Sequence, residues 1–270
     1  MKKLDCYMSS CHLLCRYDWM DCLNWVHQAG FTGMECFDEV NENILTMTPE
    51  RMDQIRTRAG KLGIELSAHP WVDWTALPQE EMIETYRAVV EHCARMGVKF
   101  LNMHLHFVAS RKQGMGRLFE ATDAILPLLQ QHGMMLLYEN VPEYGKRELG
   151  SEVGDFEKLF VRYGADTPVM MNIDVGHAHI MHQLLPLAED FGSRWRYTHI
   201  NDNNQLKDQH FGPGKGTADW NLCAQAARNA GYTGPLMMEY NQRFLAESMP
   251  VLASAYEKAG YCLDVIDTNP

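Results

Sequence analysis

The sequence predicts a (β/α)8 TIM barrel that folds as a single α/β domain over residues 1–270. Short apolar runs alternate with amphipathic stretches along the whole chain, which is the order of elements in a parallel sheet built from crossover units. Eight such pairs occur, and their spacing of about 35 residues is the size of one βα unit. The length of 270 residues also suits one barrel, which runs to about 250 residues.

The elements follow from these patterns in chain order. Apolar runs predict strands at residues 4–9, 31–37, 64–69, 99–105, 134–140, 169–175, 196–201 and 235–241. Amphipathic stretches predict helices at residues 18–28, 49–62, 78–96, 116–131, 155–163, 184–192, 221–230 and 246–259. Glycines just past helix ends predict left-handed caps at Gly30, Gly63, Gly97, Gly133, Gly164, Gly231 and Gly260.

The absence of familiar motifs favours a closed barrel over an open doubly wound sheet. No strand is followed by the glycine fingerprint with which such sheets bind nucleotides. The acyl-hydrolase elbow G-x-S-x-G and the phosphate loop G-x-x-x-x-G-K-[ST] are missing as well. Chemistry is therefore expected at the loops that follow the strands.

Composition narrows the classes of function. A net charge of −11 argues against nucleic acid as a partner, because nucleic-acid binding needs a basic stripe that displaces counterions from phosphates. No apolar stretch approaches the roughly 20 residues of a membrane helix. The N-terminus lacks the apolar region of a signal peptide, so a cytoplasmic location is expected. The eight cysteines are expected to be reduced thiols.

Side chains suited to acid/base or metal chemistry recur where predicted strands end. Asp174 follows the apolar run of the sixth strand, and steps of 35 residues back from it reach three further candidates. The last two strands supply two more. In a (β/α)8 barrel the C-terminal strand ends meet at one mouth, so one shared site is expected. The six candidates are His69, His104, Glu139, Asp174, His199 and Glu239.

Four of these residues predict a metal site. Glu139 and Glu239 follow apolar residues, where an unpaired carboxylate would be costly to desolvate, so a metal or a strong hydrogen-bond partner is required. Together with Asp174 and His199 they form an oxygen-rich set suited to Mn, Mg, Co or Zn. One ion is expected.

Further candidates carry a competing structural interpretation. His177 is a metal ligand or substrate contact, or a histidine that bonds backbone at a helix start. His69 and His104 are site residues by their spacing, or neutral core histidines. Asp208 and His210 lie side by side before Gly212, Gly214 and Gly216, whose amides can approach an anion unless the segment is a solvated turn. Lys215 could contact a phosphate or carboxylate, and Trp71 could stack on the apolar face of a substrate or pack in the core. His12 and His106 are weaker candidates.

A family resemblance then follows from Glu139, Asp174-x-x-His177, His199-x-x-Asp202, Glu239 and the Asp-x-His…Gly-x-Gly…Asp-Trp loop. This set resembles the xylose isomerase-like barrel superfamily of sugar-phosphate isomerases and epimerases, over essentially the whole chain. The resemblance implies that Glu139 and Glu239 are both metal ligands and proton-transfer bases. It also implies that Asp174 and His199 complete the metal shell and that His177 contacts substrate.

The same fold includes endonuclease IV, whose three-zinc site is similar to a longer set in this chain. All nine residue types are matched in order by His69, His104, Glu139, Asp174, His177, His199, Asp208, His210 and Glu239. That resemblance implies up to three metal ions. The acidic composition and the Gly216-x-x-Asp-Trp220 ending favour the isomerase branch. The chain departs from characterised ketose 3-epimerases at Gly145, where an acidic residue is expected, and at Gln205, where an arginine is expected.

Three functions are therefore considered. The first is a divalent-metal-dependent isomerase or epimerase of a small sugar or sugar phosphate, which works through a cis-enediolate with Glu139 and Glu239 as bases. The second is a zinc phosphoesterase similar to endonuclease IV. The third is a non-catalytic sugar-binding subunit. The expected partner is a small carbohydrate; barrels of this kind often form homo-oligomers, although no sequence feature marks an interface.

Overall fold

Eight parallel strands close into a barrel, as predicted. The computed structural model describes residues 1–72, 74–105, 110–143 and 148–268. The strands, in chain order, are β1 Lys2–Leu4, β2 Cys6–Ser9, β3 Gly33–Phe37, β4 Glu65–His69, β5 Phe100–His104, β6 Met135–Glu139, β7 Val169–Asp174, β8 Trp195–Ile200, β9 Leu236–Met238 and β10 Tyr261–Leu263. Strands β2 to β9 pair in sequence order, and β9 pairs back to β2. Strands β1 and β10 form a separate two-stranded sheet.

Helices follow the strands around the outside of the barrel. They are α1 Trp19–Ala29, α2 Pro49–Leu62, α3 Gln79–Met96, α4 Arg111–His132, α5 Val153–Arg162, α6 Val175–Met181, α7 Leu184–Phe191, α8 Trp220–Asn229 and α9 Leu245–Lys258. The α4 helix begins earlier than predicted because the side chain of Ser110 caps it, accepting from the Gln113 amide. The short α6 helix was not predicted, since seven residues make only about two turns and show no readable periodicity.

The glycine caps were predicted correctly at six of the seven positions. Gly30, Gly63, Gly97, Gly133, Gly231 and Gly260 all have positive φ angles between 62° and 88°. The prediction for Gly164 was wrong: α5 ends at Arg162, the capping residue Tyr163 has a φ of −101°, and Gly164 does not adopt the left-handed conformation. The first residue beyond a helix can leave it through an extended conformation, and then no glycine is needed.

The interior of the barrel is apolar at its base and polar at its mouth. Side chains at alternate positions of each strand point inward. An apolar cluster of Tyr7, Phe100, Leu137, Tyr197 and Met237 fills the base, separate from the larger core between strands and helices. Tyr7 fits because Gly33 opposes it: a Cβ at residue 33 would lie 2.4 Å from the tyrosine ring. The buried side chains of Glu139, Asp174 and His199 lie above this cluster, toward the C-terminal strand ends.

Two observations concern membrane insertion and disulfide bonding. Within the described ranges, no helix combines the length and apolar character that crossing a bilayer requires. All eight cysteines are free thiols.

Candidate metal centre

Four side chains converge on one point at the mouth of the barrel. Glu139, Asp174 and His199 lie at the ends of β6, β7 and β8, and Glu239 follows β9. The Nδ1 atom of His199 is 3.0 Å from Glu239 Oε2, 3.3 Å from Glu139 Oε2 and 3.7 Å from Asp174 Oδ2. One ligand atom from each residue lies within 4.8 Å of the others, and all four residues are buried. The structure thus brings together the four residues predicted as metal ligands.

The chemistry of this set fits a divalent cation. Three carboxylates face a single imidazole, and burial makes their charge costly unless a positive charge compensates it. Glu139 Oε1 and His199 Nδ1 are buried without a partner in hydrogen-bonding geometry. Three carboxylates and one imidazole are ligands that Mn²⁺, Mg²⁺, Co²⁺ and Zn²⁺ accept. The residues present can therefore hold such an ion.

The pKa values in the cluster reflect its excess of carboxylates over imidazoles. Burial opposes the imidazolium form of His199, but Glu139, Glu239 and Glu35 outweigh it and place the His199 pKa well above its usual value. Burial likewise opposes ionisation of Glu139 and Glu239, yet His199 holds both pKa values well below normal. Burial and the two glutamates raise the pKa of Asp174 well above normal, although His177 opposes this shift. Asp174 is therefore easier to protonate than an exposed aspartate, and a bound cation would oppose that protonation.

Buried polar side chains beneath the centre were not predicted from the sequence. The amide nitrogens of Asn102 and Asn172 both donate to Glu139 Oε2, the second over 3.0 Å. Glu35 on β3 lies behind His199, with Oε2 3.1 Å from His199 Nε2. Glu35, Asn102 and Asn172 stand two residues before Phe37, His104 and Asp174, respectively, so they share the inward face of their strands. That alternation was the signal that could have found them.

Asparagine and glycine fix the other side of the centre. The Asn201 amide donates to Asp174 Oδ2 over 2.7 Å and to Glu239 Oε2 over 3.4 Å. Asp174 also caps α6, since its Oδ1 accepts the amide hydrogen of His177 over 2.6 Å. A Cβ at Gly176 would lie 1.7 Å from Asn201 Oδ1, so only glycine allows this close approach.

His69 and His104 lie on the β4–β5 side of Glu139. The Nε2 atoms of His69 and His104 are 3.7 Å from Glu139 Oε2 and 3.4 Å from Glu139 Oε1, respectively. The ligand atoms of His69, Glu139 and His199 also lie within 4.8 Å of one another. Burial and the neighbouring His104 lower the pKa of His69 to about 3, so its imidazole is neutral near pH 7. Both histidines therefore line the same centre.

His177, Asp208 and His210 form a second polar group beside the four-residue set. The Nδ1 atoms of His177 and His210 each lie 2.9 Å from a backbone carbonyl, that of Asn140 and that of Glu239. Their Nε2 atoms point to Asp208 Oδ2 over 3.4 and 2.7 Å. Burial opposes protonation of His210, but Asp208 outweighs it and raises the His210 pKa to about 10. His177 Nδ1 is also 3.2 Å from Glu139 Oε1, which joins the two groups.

The glycine-rich loop encloses an internal carboxylate. Asp202 is buried and accepts hydrogen bonds from the backbone amides of Gly214, Gly216 and Ala218, each over 3.0 Å. The Asn203 amide and the indole of Trp220 complete this set of five donors. The anion that the glycine amides approach is therefore the carboxylate of Asp202. Gly212 packs against Ser248 and Phe244 instead.

Replacing Asp202 with alanine is expected to lower the free energy of unfolding by about 3 kcal/mol, since five buried donors would lose their charged acceptor. Denaturant unfolding followed by circular dichroism measures this. Asp219→Ala is the matched control, because Asp219 only caps α8 and should cost about 1 kcal/mol. Equal losses in the two variants would contradict a special role of Asp202 in ordering the loop.

Comparison with known families identifies the fold's relatives. A family model described as xylose isomerase-like TIM barrel matches residues 23–255. The chain belongs to this family. An uncharacterized protein, y4fM, of Sinorhizobium fredii is 35% identical over 85 residues. That match covers 31% of this chain and 27% of the other, so it spans well under two thirds of the relative.

Solved structures share the architecture across nearly the whole chain. A D-tagatose 3-epimerase-like protein superposes with a TM-score of 0.81 at 16% identity, covering 95% of this chain and 98% of its own. A D-psicose 3-epimerase determined in the presence of D-fructose gives 0.75 at 16% identity, with 95% and 96% covered. The 3-keto-D-glucoside 4-epimerase YcjR of E. coli gives 0.74 at 15% identity, with 93% and 100% covered. At these identities the likeness shows the fold alone.

The remaining predicted contacts lie at the rim of this xylose isomerase-like barrel. Trp71 is 57% exposed, and its ring centroid is 5.4 Å from that of His104. The ammonium group of Lys215 pairs with Glu247 at the surface, so a substrate contact would require this pair to open. The ring centroid of His12 is 5.1 Å from that of His210. His106 and Gly145 lie outside the described residues.

Proposed function

We propose that the protein is a divalent-metal-dependent isomerase or epimerase of a small sugar or sugar phosphate. The observation that carries this proposal is the pair of buried glutamates beside His199 Nδ1, at 3.3 Å for Glu139 and 3.0 Å for Glu239. Their depressed pKa values keep both carboxylates ionised, as proton acceptors must be. The sugar epimerases among the similar solved structures add support.

The roles of the residues follow from their positions. Glu139, Asp174, His199 and Glu239 would hold the cation, and when bound it supplies Lewis-acid polarisation of a carbonyl group. One glutamate removes the proton from the carbon beside the carbonyl, which leaves a cis-enediolate of the sugar. The other glutamate passes a proton from water to the opposite face and inverts that carbon, and the first glutamate releases its proton to water. Delivery of a proton to the adjacent carbon instead, with a hydroxyl proton moving between the two oxygens, interconverts aldose and ketose. His177 would contact the substrate.

Solvent deuterium tests the proposal. The Mn²⁺-loaded protein would be incubated in D2O with ketoses such as D-tagatose, D-psicose and L-ribulose, with aldoses, and with sugar phosphates. We expect one deuterium per turnover at the carbon that changes configuration or position, detected by NMR and mass spectrometry. A protein that binds a sugar without ever labelling it would instead be a non-catalytic sugar-binding subunit, although such a protein needs no pair of proton-transfer groups.

A second candidate is hydrolysis of a phosphate ester by two or three zinc ions. The observation that favours it is the pair of imidazoles of His177 and His210, which both direct Nε2 at Asp208 while Nδ1 faces a carbonyl. Elemental analysis separates the candidates. Two to three zinc ions per chain, reduced by replacing His69, His104 or His210, would favour hydrolysis, whereas one exchangeable Mn²⁺ or Mg²⁺ favours isomerisation.

A further inference from the structure

Glu35 is a fully buried carboxylate that the proposed reaction does not use. It lies in β3 and faces the barrel interior, between Ser9 on β2 and Ser67 on β4 in the strand register. Within the described part of the chain its carboxylate makes one ion pair, through Oε2 to His199 Nε2 over 3.1 Å. Its other oxygen, Oε1, is buried without a hydrogen bond.

This placement costs stability. A buried carboxylate with one unsatisfied oxygen pays a desolvation penalty that a single hydrogen bond does not offset. Burial is the largest influence on Glu35 and raises its pKa, against the opposing effect of His199. An apolar side chain would fit a barrel interior at lower cost. The acid at residue 35 is therefore better explained by what it does to His199.

The two nitrogens of His199 have different surroundings. Nδ1 faces the carboxylates of the metal centre, with Glu239 Oε2 at 3.0 Å. Nε2 faces Glu35 and also lies 3.5 Å from the Asn102 amide nitrogen. That nitrogen is a donor already directed at Glu139, so Glu35 is the acceptor available to an Nε2 proton. A proton fixed on Nε2 leaves the Nδ1 lone pair free for a cation.

We propose that Glu35 is a positioning residue for the metal centre. Its carboxylate accepts the Nε2 hydrogen of His199 and holds the ring in the orientation in which Nδ1 points at Glu139 and Glu239. The same hydrogen bond makes Nδ1 a stronger metal ligand. The backbone of His199 is fixed separately, since its amide donates to Asn172 Oδ1 over 3.1 Å. The inference rests on the metal centre of the proposed function and adds a residue that touches neither metal nor substrate.

Metal affinity, measured apart from activity, tests this role. Chelator-treated wild type, Glu35→Ala and Glu35→Gln would be titrated with Mn²⁺ and Zn²⁺ by calorimetry, and the melting temperature of each metal-free protein recorded. Partners of metal ligands typically contribute about 10- to 100-fold to affinity, and we expect a loss of that size for Glu35→Ala. Glu35→Gln, which keeps an uncharged acceptor, should lie between Glu35→Ala and wild type. The melting temperatures of the two metal-free variants should not fall below that of metal-free wild type, even though their metal affinities are lower.

Glu42→Gln is the matched control. Glu42, in the loop after β3, is also buried, but it pairs with Arg51 of α2 and has no recorded contact with the predicted ligands among the described residues. This variant should lose stability and keep wild-type metal affinity. Affinity within about twofold of wild type in folded Glu35→Ala would overturn the inference about Glu35 alone, since the expected loss is about 10- to 100-fold. If Glu35→Ala does not fold, an affinity of Glu35→Gln equal to that of wild type would overturn it. Failure of wild type to bind any divalent ion would overturn the metal centre and this inference together.

Discussion

Glu239→Gln is expected to lower kcat by roughly 1000-fold or more, because general acid–base groups contribute on the order of 100- to 10,000-fold and this residue would also lose a ligand charge. Glu139→Gln should do the same. Both glutamates contribute to the same buried cluster but from different strands, so neither carboxylate can replace the other. Glutamine keeps the shape of the side chain, and the fold should survive in each variant.

Two measurements separate loss of the base from loss of the metal. Bound metal is counted in each variant, and turnover is measured at saturating Mn²⁺. Glu84→Gln is the control, since Glu84 is an exposed partner of Arg87 on α3 and should leave turnover unchanged. A Glu239→Gln enzyme with full metal content and near wild-type turnover would contradict the two-base mechanism. Deuterium labelling of only one epimer by a single variant would identify the base that remains.

Removing the metal is expected to abolish turnover and to lower the melting temperature. A ligand present at 100 times its Kd stabilises the folded state by about 2.7 kcal/mol. For a chain of this size, 1 kcal/mol corresponds to about 2–4 °C, so the expected shift is about 5–10 °C. Calorimetric melting with EDTA and after addition of Mn²⁺, Mg²⁺, Co²⁺ or Zn²⁺ measures it. Binding should also release protons, since the raised pKa of Asp174 favours its protonation in the metal-free protein and a cation opposes it.

Asp174→Asn is the matched variant for this experiment. It removes one carboxylate from the four-residue set while keeping a side chain that can accept the α6 capping bond from the His177 amide. Its melting temperature should respond little to added metal. If the stability and turnover of wild type changed neither with EDTA nor with added divalent ions, the proposed metal centre would be contradicted.

Local patterns were enough to predict the barrel and its main cluster. Alternating apolar runs and amphipathic stretches are properties of neighbouring residues, and a barrel brings all C-terminal strand ends to one mouth. For this reason the sequence indicated that Glu139, Asp174, His199 and Glu239 would meet. It did not reveal α6, whose seven residues are too few to show a period.

The sequence by itself thus determined the fold and the four residues that gather at its mouth, because each lies where its own strand ends. Only the tertiary structure decided their partners. Glu35 reaches His199 across 164 residues of sequence, and Asp202 collects amides from up to 16 residues away. Such pairings depend on barrel closure and on the path of one loop. A glycine-rich segment therefore looked like a site for an external anion, whereas the folded chain supplies that anion from its own Asp202.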